Sequence, residues 1–191
     1  EQLQSSIVIA AYQLGIAASR VPRLFNSLVY AELGYLGAFD ESRAAATSVY
    51  AESGYDISGA IDRWLQHGAF MYTNNHPRMR VLGTLAWQAL RKAGLQPLDP
   101  DAVPEPFDDL AQSVRWPTHE PIARRAGIAA EPLFGRLAAA VDDDAGRWLT
   151  LEAFVEASYA AYGDLAPSDF INTEVIAGAV DGLRRLFDAP G

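Results

Sequence analysis

Three histidines and a dense set of aromatic side chains are the residues of this sequence that could do chemistry. His67 lies three residues after Trp64, and His76 and His119 stand at the starts of predicted helices. Most such side chains belong to a core. Buried tyrosines nevertheless need partners for their hydroxyl groups, and several converging on one cavity would form a pocket for a flat or apolar small molecule. The candidate pocket residues are Tyr30, Tyr50, Tyr55, Trp64, His67, Tyr72 and His76.

The absence of cysteine and of several short motifs narrows the chemistry that the chain could perform. Without cysteine there are no disulfides, thiolate metal sites or thiol nucleophiles. The sequence also has no serine nucleophile elbow and no phosphate-binding glycine loop, which argues against hydrolase, kinase and dinucleotide chemistry. A catalytic arrangement assembled from distant segments would leave no such local signal.

The charge balance bears on the partners of the chain. Its formal net charge is −9 and its pI is about 4.7. A nucleic-acid groove or an anionic membrane surface needs clustered Lys and Arg, so we expect neither nucleic acid nor membrane as a partner. Cationic partners or metal ions are easier to accommodate, and the expected partner is a small molecule or a protein. No run reaches the roughly 18 apolar residues that a membrane span requires, and the cytoplasm is the default location.

The periodic segments of the chain all predict helices, so the expected fold is all-α, with about eight or nine helices in a single domain spanning residues 1–191. The alternation typical of strands is nearly absent. The predicted helices are Leu3–Ala18, Pro22–Leu33, Glu41–Ser53, Ser58–Tyr72, Pro77–Ala93, Glu120–Ala126, Pro132–Val141, Leu151–Tyr162 and Asp169–Asp188.

The segment 95–121 interrupts this helical pattern. It is rich in proline and in acidic residues, and connections of this length are usually lids, packed straps or linkers. Phe107 and Trp116 favour a strap pinned to the protein surface. The segment separates an N-terminal helical half, residues 1–94, from a C-terminal half, residues 122–191.

Two nearly identical heptads, VYAELGY at Val29–Tyr35 and VYAESGY at Val49–Tyr55, raise the question of a duplicated site. The glycine of each heptad can take the left-handed conformation just past a helix, which predicts two helix stops. Glu32 and Glu52 could instead be equivalent carboxylates that share a metal ion or a proton. The helix-stop interpretation needs fewer assumptions.

A third segment repeats the frame of the second heptad. VDDDAGRWLTLEAF at Val141–Phe154 matches VYAESGYDISGAID at Val49–Asp62, with a valine, a glycine, a branched aliphatic residue and a hydroxyl residue at corresponding places. The hydroxyl residues, Ser58 and Thr150, are expected to cap the helices that follow. The frame is therefore a helix, a loop that turns at glycine, and a capped helix.

In this outline the stretch LFGRLAAAVDDDAGRWLTLEAFVEA resembles an EF-hand of the sarcoplasmic or calerythrin-like calcium-binding proteins. The resemblance implies Gly146 at the turn, Glu152 as the closing carboxylate, and Asp142 and Asp144 as early calcium ligands. That register places Val141 where the first aspartate should stand.

An alternative register of the same loop is shifted by one residue. The shift restores Asp142 as first ligand and Asp144 as third, and it leaves Ala153 in the closing position. The earlier loop, with Val49, Ala51 and Ser53 at ligand positions, could not hold a cation.

Two functions of different classes follow from these observations. The first is a non-enzymatic, EF-hand-like binding or interaction module with calcium at Asp142–Glu152. The second is an all-α small-molecule-binding protein or enzyme whose aromatic pocket lies in the N-terminal half. A version of the second is the effector domain of a helical repressor, although no DNA-reading helix-turn-helix is evident. We place the EF-hand interpretation first.

Overall fold

The computed structural model describes residues 5–137, 147–163, 165, 169–170 and 173–188, and it confirms a mostly helical fold. Short 3₁₀ helices span Ala18–Leu24, Pro100–Ala102 and Asp109–Gln112. Two short strands, β1 (Phe134–Gly135) and β2 (Trp148–Leu149), pair antiparallel. The α-helices are α1 (Ser6–Gln13), α2 (Ser27–Glu32), α3 (Tyr35–Glu52), α4 (Ser58–Leu65), α5 (Met79–Lys92), α6 (Glu120–Ala126), α7 (Leu151–Tyr162) and α8 (Thr173–Asp188).

Helix α1 lies at the centre of the main core of this single globular domain. Its residues 7–11 are all apolar and at most 2% exposed. A helix that is apolar on every face must be covered on every side. Helix α8 packs along it, and α7 and the 3₁₀ helix Ala18–Leu24 cover further sides. Among the described residues, no helix is both long enough and apolar enough to cross a membrane.

A second, smaller core joins α4 to α5. Ile57, Ile61, Trp64 and Val81 are buried in it. The indole N–H of Trp64 donates to the hydroxyl of Thr84 at 3.0 Å, and this bond satisfies the polar atom of a buried aromatic side chain. This hydrogen bond links α4 to α5, and residues of both helices line the candidate site.

The predicted helix Pro132–Val141 is wrong over its described residues, 132–137, which include β1. The backbone N–H of Gly135 donates to the carbonyl of Arg115 at 3.0 Å, and that of Arg136 donates to the carbonyl of Arg147 at 2.8 Å. These amides are used by distant segments, so they cannot form the local bonds that a helix requires.

The predicted helix Ser58–Tyr72 is too long, because α4 ends at Leu65. Gly68 follows with a φ of 94°, which an L side chain rarely adopts. Residues 70–78 then fold back as a tight loop, in which the N–H of Tyr72 donates to the carbonyl of His76 at 2.8 Å. His76 therefore lies in this loop and not at the start of α5, which begins at Met79.

The two heptads differ in the structure. At the second, Gly54 has a φ of 75°, and the N–H of Tyr55 donates to the carbonyl of Tyr50 at 2.9 Å, which is a Schellman helix stop. At the first, Gly34 has a φ of 76°, but α3 begins at the next residue. The first heptad is therefore a bend between two helices.

The carboxylates of the two heptads do not form one site. Helix α3 separates them, and a helix of its 18 residues is about 27 Å long. Glu32 forms an ion pair with Arg185 of α8 at 2.6 Å instead.

The two helix-capping predictions have different outcomes. The hydroxyl of Thr150 accepts from the N–H of Ala153 at 3.3 Å and caps α7. Ser58 does not cap α4, and its own N–H donates to the carboxylate of Asp56 at 2.9 Å.

The segment 95–121 is held against the protein, although not by both predicted aromatic anchors. Phe107 is 74% exposed and anchors nothing. Trp116 packs its ring edgewise on Phe134, with ring centres 5.9 Å apart. The principal anchor is Asp108, whose carboxylate accepts from the hydroxyl of Tyr72 at 3.0 Å and from the N–H of Met79 at 3.3 Å. We call residues 97–108 the strap.

Two glycines of α8 provide a matched test of its packing. A Cβ added at Gly182 would lie 2.5 Å from a methyl carbon of Leu33, whereas one at Gly178 would meet nothing within 4 Å. We expect Gly182→Ala to lower the free energy of unfolding by about 1–3 kcal/mol through overpacking. We expect Gly178→Ala to raise it by about 0.5–1 kcal/mol through helix propensity. Urea unfolding of both variants tests this, and equal effects would contradict the close approach of α8 to Leu33.

His119 gives the fold a dependence on pH. Its ring packs against Phe25, with ring centres 4.9 Å apart, and against Phe134 at 5.9 Å. Burial lowers the pKa of His119 to about 4. The unfolded chain, with a histidine pKa of about 6.5, binds more protons between these values, so stability is complete above pH 6.5 and is lost as the pH falls towards 4.

We expect His119→Phe to remove part of this acid sensitivity. The loss assigned to His119 is about 2 kcal/mol between pH 7 and pH 4, less than the full linkage value because the ring is only partly buried. Urea unfolding of the wild type and the variant at both pH values measures the difference. An identical loss in the two proteins would show that His119 is not buried as a neutral ring.

Candidate functional site

One face of α5 forms the floor of an opening on the surface of the protein. Arg80, Gly83, Thr84 and Trp87 recur at intervals of three and four residues and therefore lie on one side of the helix. The strap crosses this face, with Pro100 next to Gly83: a Cβ added at Gly83 would lie 4.0 Å from the Cβ of Pro100, an ordinary contact distance. We call the opening between α5 and the strap the strap cleft.

The strap cleft consists of two adjoining parts with volumes of about 580 and 240 Å³. Both parts are lined by His67, Arg80, Trp87, Pro100 and Asp101. The larger part adds mainly apolar residues. These are Met79, Gly83, Ala86, Leu90, Pro97, Leu98, Val103, Pro104 and Pro106, together with the carboxylate of Glu105. The smaller part adds Arg63, Trp64, Thr84 and Asp99.

Polar contacts hold the strap in this position. The guanidinium of Arg80 pairs with the carboxylate of Glu105, with Nε and Oε1 3.2 Å apart. The carboxylate of Asp99 accepts from the N–H of Asp101 at 2.9 Å and caps the 3₁₀ helix that begins at Pro100. Since Asp99 is used by the backbone, Asp101 is the carboxylate of this turn that is free to contact a ligand.

The strap cleft combines an aromatic ring with charged side chains of both signs. The guanidinium of Arg91 lies 5.1 Å from the centre of the Trp87 ring. His67 is exposed, and its imidazole has no hydrogen bond to another described residue. An aromatic ring, an imidazole, a carboxylate and a guanidinium in a mostly apolar cleft are the features of a small-molecule site.

Comparison with known protein families identifies the family of the chain. A profile described as the polysaccharide biosynthesis enzyme WcbI matches residues 2–98, just over half of the 191 residues. The chain belongs to the WcbI family. The matched segment includes α1 to α5 and ends within the strap, so it contains His67, Arg80 and Trp87. No curated protein and no solved structure shows a significant match to the chain.

Membership of the WcbI family shows that the EF-hand interpretation is wrong, and with it the description of the chain as a non-enzymatic calcium-binding module. Of the implied calcium ligands, Asp142 and Asp144 lie outside the described residues, as does Gly146. Glu152 is an exposed residue in the first turn of α7. Among the described residues, no three His, Asp or Glu side chains are grouped as a metal site would require.

The structure brings two of the seven predicted pocket residues to the strap cleft, inside the WcbI match. These are Trp64 and His67. Tyr72 lines a different opening, of about 300 Å³. His76 lines none of the described openings, and its Nδ1 is buried without a hydrogen-bond partner among the described residues.

The remaining predicted tyrosines do not line these openings. Tyr30 belongs to the main core at 3% exposure, and burial together with the neighbouring Tyr35 raises the pKa of its hydroxyl. Tyr50 packs on the smaller core, and the ammonium group of Lys92 lies 5.2 Å from the ring centre of Tyr55. Only the aromatic character of these tyrosines indicated a pocket, and aromatic side chains suit a core equally well.

Sequence reasoning missed Arg80, Trp87, Asp99 and Asp101 as residues that line the strap cleft. Arg80, Thr84 and Trp87 share a helix face, and this pattern was visible in the sequence. The strap was also recognised as a surface element. What the sequence did not show is that the strap crosses this particular face of α5, because the contact depends on Asp108 reaching back to Tyr72.

Proposed function

We propose that the protein is an enzyme of polysaccharide biosynthesis and that the strap cleft binds a sugar substrate. Two observations support the proposal: the WcbI-family match, and the position of the cleft on helices within that match. The cleft carries the proposal because its lining combines an aromatic ring, an imidazole and a carboxylate on and beside helices of the matched segment.

The lining suits the two kinds of surface that a sugar presents. A sugar ring has an apolar face of C–H groups, which packs well on the aromatic face of Trp87. Its hydroxyl groups can donate to the carboxylate of Asp101 and accept from the guanidinium of Arg80. A volume of about 580 Å³ lies within the range of roughly 300–1,000 Å³ that is usual for small-molecule sites, and it accommodates more than one sugar ring.

The cleft also supplies a base for chemistry at a sugar hydroxyl. Extension or modification of a polysaccharide requires a hydroxyl oxygen to act as a nucleophile, and its proton must then pass to a base. His67 and Asp101 both line the two parts of the cleft and are the candidates for this role. Histidine is the side chain most often used for such proton transfer.

Binding of neutral sugars tests the proposal. The probes are glucose, galactose, mannose and their disaccharides, detected first by saturation-transfer NMR and then by calorimetry. We expect at least one to bind, and we expect Trp87→Ala to weaken that binding by tenfold or more, about 1.4 kcal/mol.

Phe107→Ala is the matched control for Trp87→Ala. Phe107 is an exposed aromatic residue of the strap that lines none of the described openings. Its replacement should change the sugar affinity by no more than about twofold, which is much less than the tenfold loss expected for Trp87→Ala. The proposal fails if no probe binds, or if Trp87→Ala binds sugar as tightly as Phe107→Ala.

A further inference from the structure

A second cleft lies where four separate segments meet. Tyr72 comes from the loop before α5, Arg115 from the residues after the strap, Glu131 from the segment after α6, and Trp148 from β2. Its volume is about 300 Å³. We call it the arginine cleft.

Arg115 occupies this cleft, and its guanidinium has no polar partner in the part of the chain that the structure describes. Its guanidinium carbon lies 4.3 Å from the centre of the Tyr72 ring and 5.4 Å from that of Trp148. No ion pair or hydrogen bond joins the guanidinium to another described residue, and its Nε is buried and unsatisfied. The Nε atoms of Arg78 and Arg147 are buried in the same way, so what distinguishes Arg115 is that its terminal nitrogens also have no acceptor among the described residues; a ligand oxygen could supply one.

The other charged groups around the cleft leave this positive charge uncompensated. Arg78 lies 4.9 Å from the centre of the same Tyr72 ring, and it donates to both oxygens of Glu131 at 2.7 and 2.8 Å. The carboxylate of Glu131 thus neutralises Arg78. Arg147 lies 4.9 Å from the centre of the Trp148 ring, and it is bound to Gln112 and to the carbonyl of Ala111.

The fold holds Arg115 rigidly in this place. The N–H of Arg115 donates to the carbonyl of Gly135 at 2.9 Å, and the N–H of Gly135 donates back at 3.0 Å. A Cβ at Gly135 would lie 2.9 Å from the Cβ of Arg115 and 3.0 Å from the ring of Trp148. Because residue 135 is glycine, its backbone, the aliphatic part of the Arg115 side chain and the indole of Trp148 can pack together. Arg115 is therefore already ordered, and ligand binding costs little further conformational entropy.

We propose that the arginine cleft binds the negatively charged group of an acidic sugar, carboxylate or phosphate, with the sugar ring against Trp148. This inference rests on the proposed function. The planar fork of arginine suits both kinds of oxyanion, and the volume of the cleft holds about one sugar ring. The net charge of −9 opposes the approach of an anion, so its binding depends on the local guanidinium of Arg115.

The experiment compares glucuronate, glucose 6-phosphate and glucose, titrated separately into ¹⁵N-labelled wild-type protein. The readout is the chemical shift of the Trp148 indole N–H, with the affinity determined from the same titration. Glucuronate or glucose 6-phosphate should move the Trp148 signal and should bind at least tenfold more tightly than glucose does at that signal. The acidic sugar that binds more tightly identifies the oxyanion.

Variants of Arg115 test the contact itself. Arg115→Gln should weaken binding of the acidic sugar by tenfold or more, and Arg115→Lys, which keeps the charge but not the fork, should weaken it by a smaller factor. Arg184→Gln is the control, because Arg184 is an exposed arginine of α8. Its replacement should leave the affinity within twofold.

The results that overturn this inference differ from those that overturn the proposed function. If neither acidic sugar moves the Trp148 signal of the wild type, or if the Arg115 variants bind as tightly as the wild type does, the arginine cleft is not an acidic-sugar site. Neutral sugars bound in a Trp87-dependent way would then leave the proposed function intact.

Discussion

Phe134→Ala is expected to lower the free energy of unfolding by about 3–5 kcal/mol, which is typical for truncation of a buried phenylalanine. The side chain is fully buried. Its ring stacks on Phe154 of α7 with centres 3.9 Å apart, and it meets His119 and Trp116 edgewise. The truncation would therefore leave a cavity between α7, β1 and the segment that precedes α6. Urea unfolding followed by circular dichroism measures the loss.

Leu133→Ala provides the control at the adjacent position. Leu133 is 43% exposed, so its truncation should cost about 1 kcal/mol or less. If Phe134→Ala costs no more than Leu133→Ala, β1 is not packed as described. The difference between the two expected effects follows from burial, since Phe134 is fully buried and Leu133, just before β1, is partly exposed.

Asp108→Ala should release the strap. The carboxylate accepts from the hydroxyl of Tyr72, the N–H of Met79 and the N–H of Ala111 at 3.0, 3.3 and 3.1 Å. Hydrogen bonds to a charged group contribute about 1.5–3 kcal/mol each when buried. Because Asp108 is half-buried, we expect a total loss of about 2–3 kcal/mol. Hydrogen exchange should accelerate in the strap, and sugar affinity at the strap cleft should fall with it.

Asp109→Ala is the matched control for Asp108→Ala. Asp109 is exposed and forms no hydrogen bond through its carboxylate to another described residue. Asp109→Ala should change stability by less than about 0.5 kcal/mol, as is usual for surface positions. Unchanged hydrogen exchange in Asp108→Ala would show that the strap is held by other contacts.

Local signals in the sequence predicted many helices well. The predicted bounds of α6 and α7 match the structure, because α6 ends before a glycine at 127 with a φ of 70° and α7 begins after the capping hydroxyl of Thr150. The fold class followed from the same signals. Where a backbone group bonds to a distant segment, as Gly135 does with Arg115, local signals failed and a helix was predicted in place of a strand.

The EF-hand resemblance failed for a related reason. The frame that it compared consists of a helix end, a glycine turn and the start of a capped helix, and such punctuation is common to many helical proteins. Thr150 does cap α7, as the frame required. Capping is a property of helix starts, however, and carries no information about a metal.

The candidate sites were only partly accessible to sequence reasoning. Trp64 and His67, two of the predicted pocket residues, line the strap cleft, since they lie on one short helix and its exit; that they bind a ligand stays a prediction. Arg115 and Trp148 could not be paired, because they are separated by α6 and by β1, and their meeting depends on the absence of a side chain at Gly135. The net charge of −9 also gave no indication of a cationic cleft, because a net charge does not show where individual arginines lie.

The burial of α1 has a consequence for how the chain is synthesised. The apolar residues 7–11 are synthesised well before α8, which packs along them and ends at Asp188. At about 5–20 residues per second, the interval between the two is on the order of ten seconds or more. During that time the side of α1 that α8 will cover stays open on the nascent chain, so we expect chaperones that bind exposed hydrophobic segments to recognise it during translation.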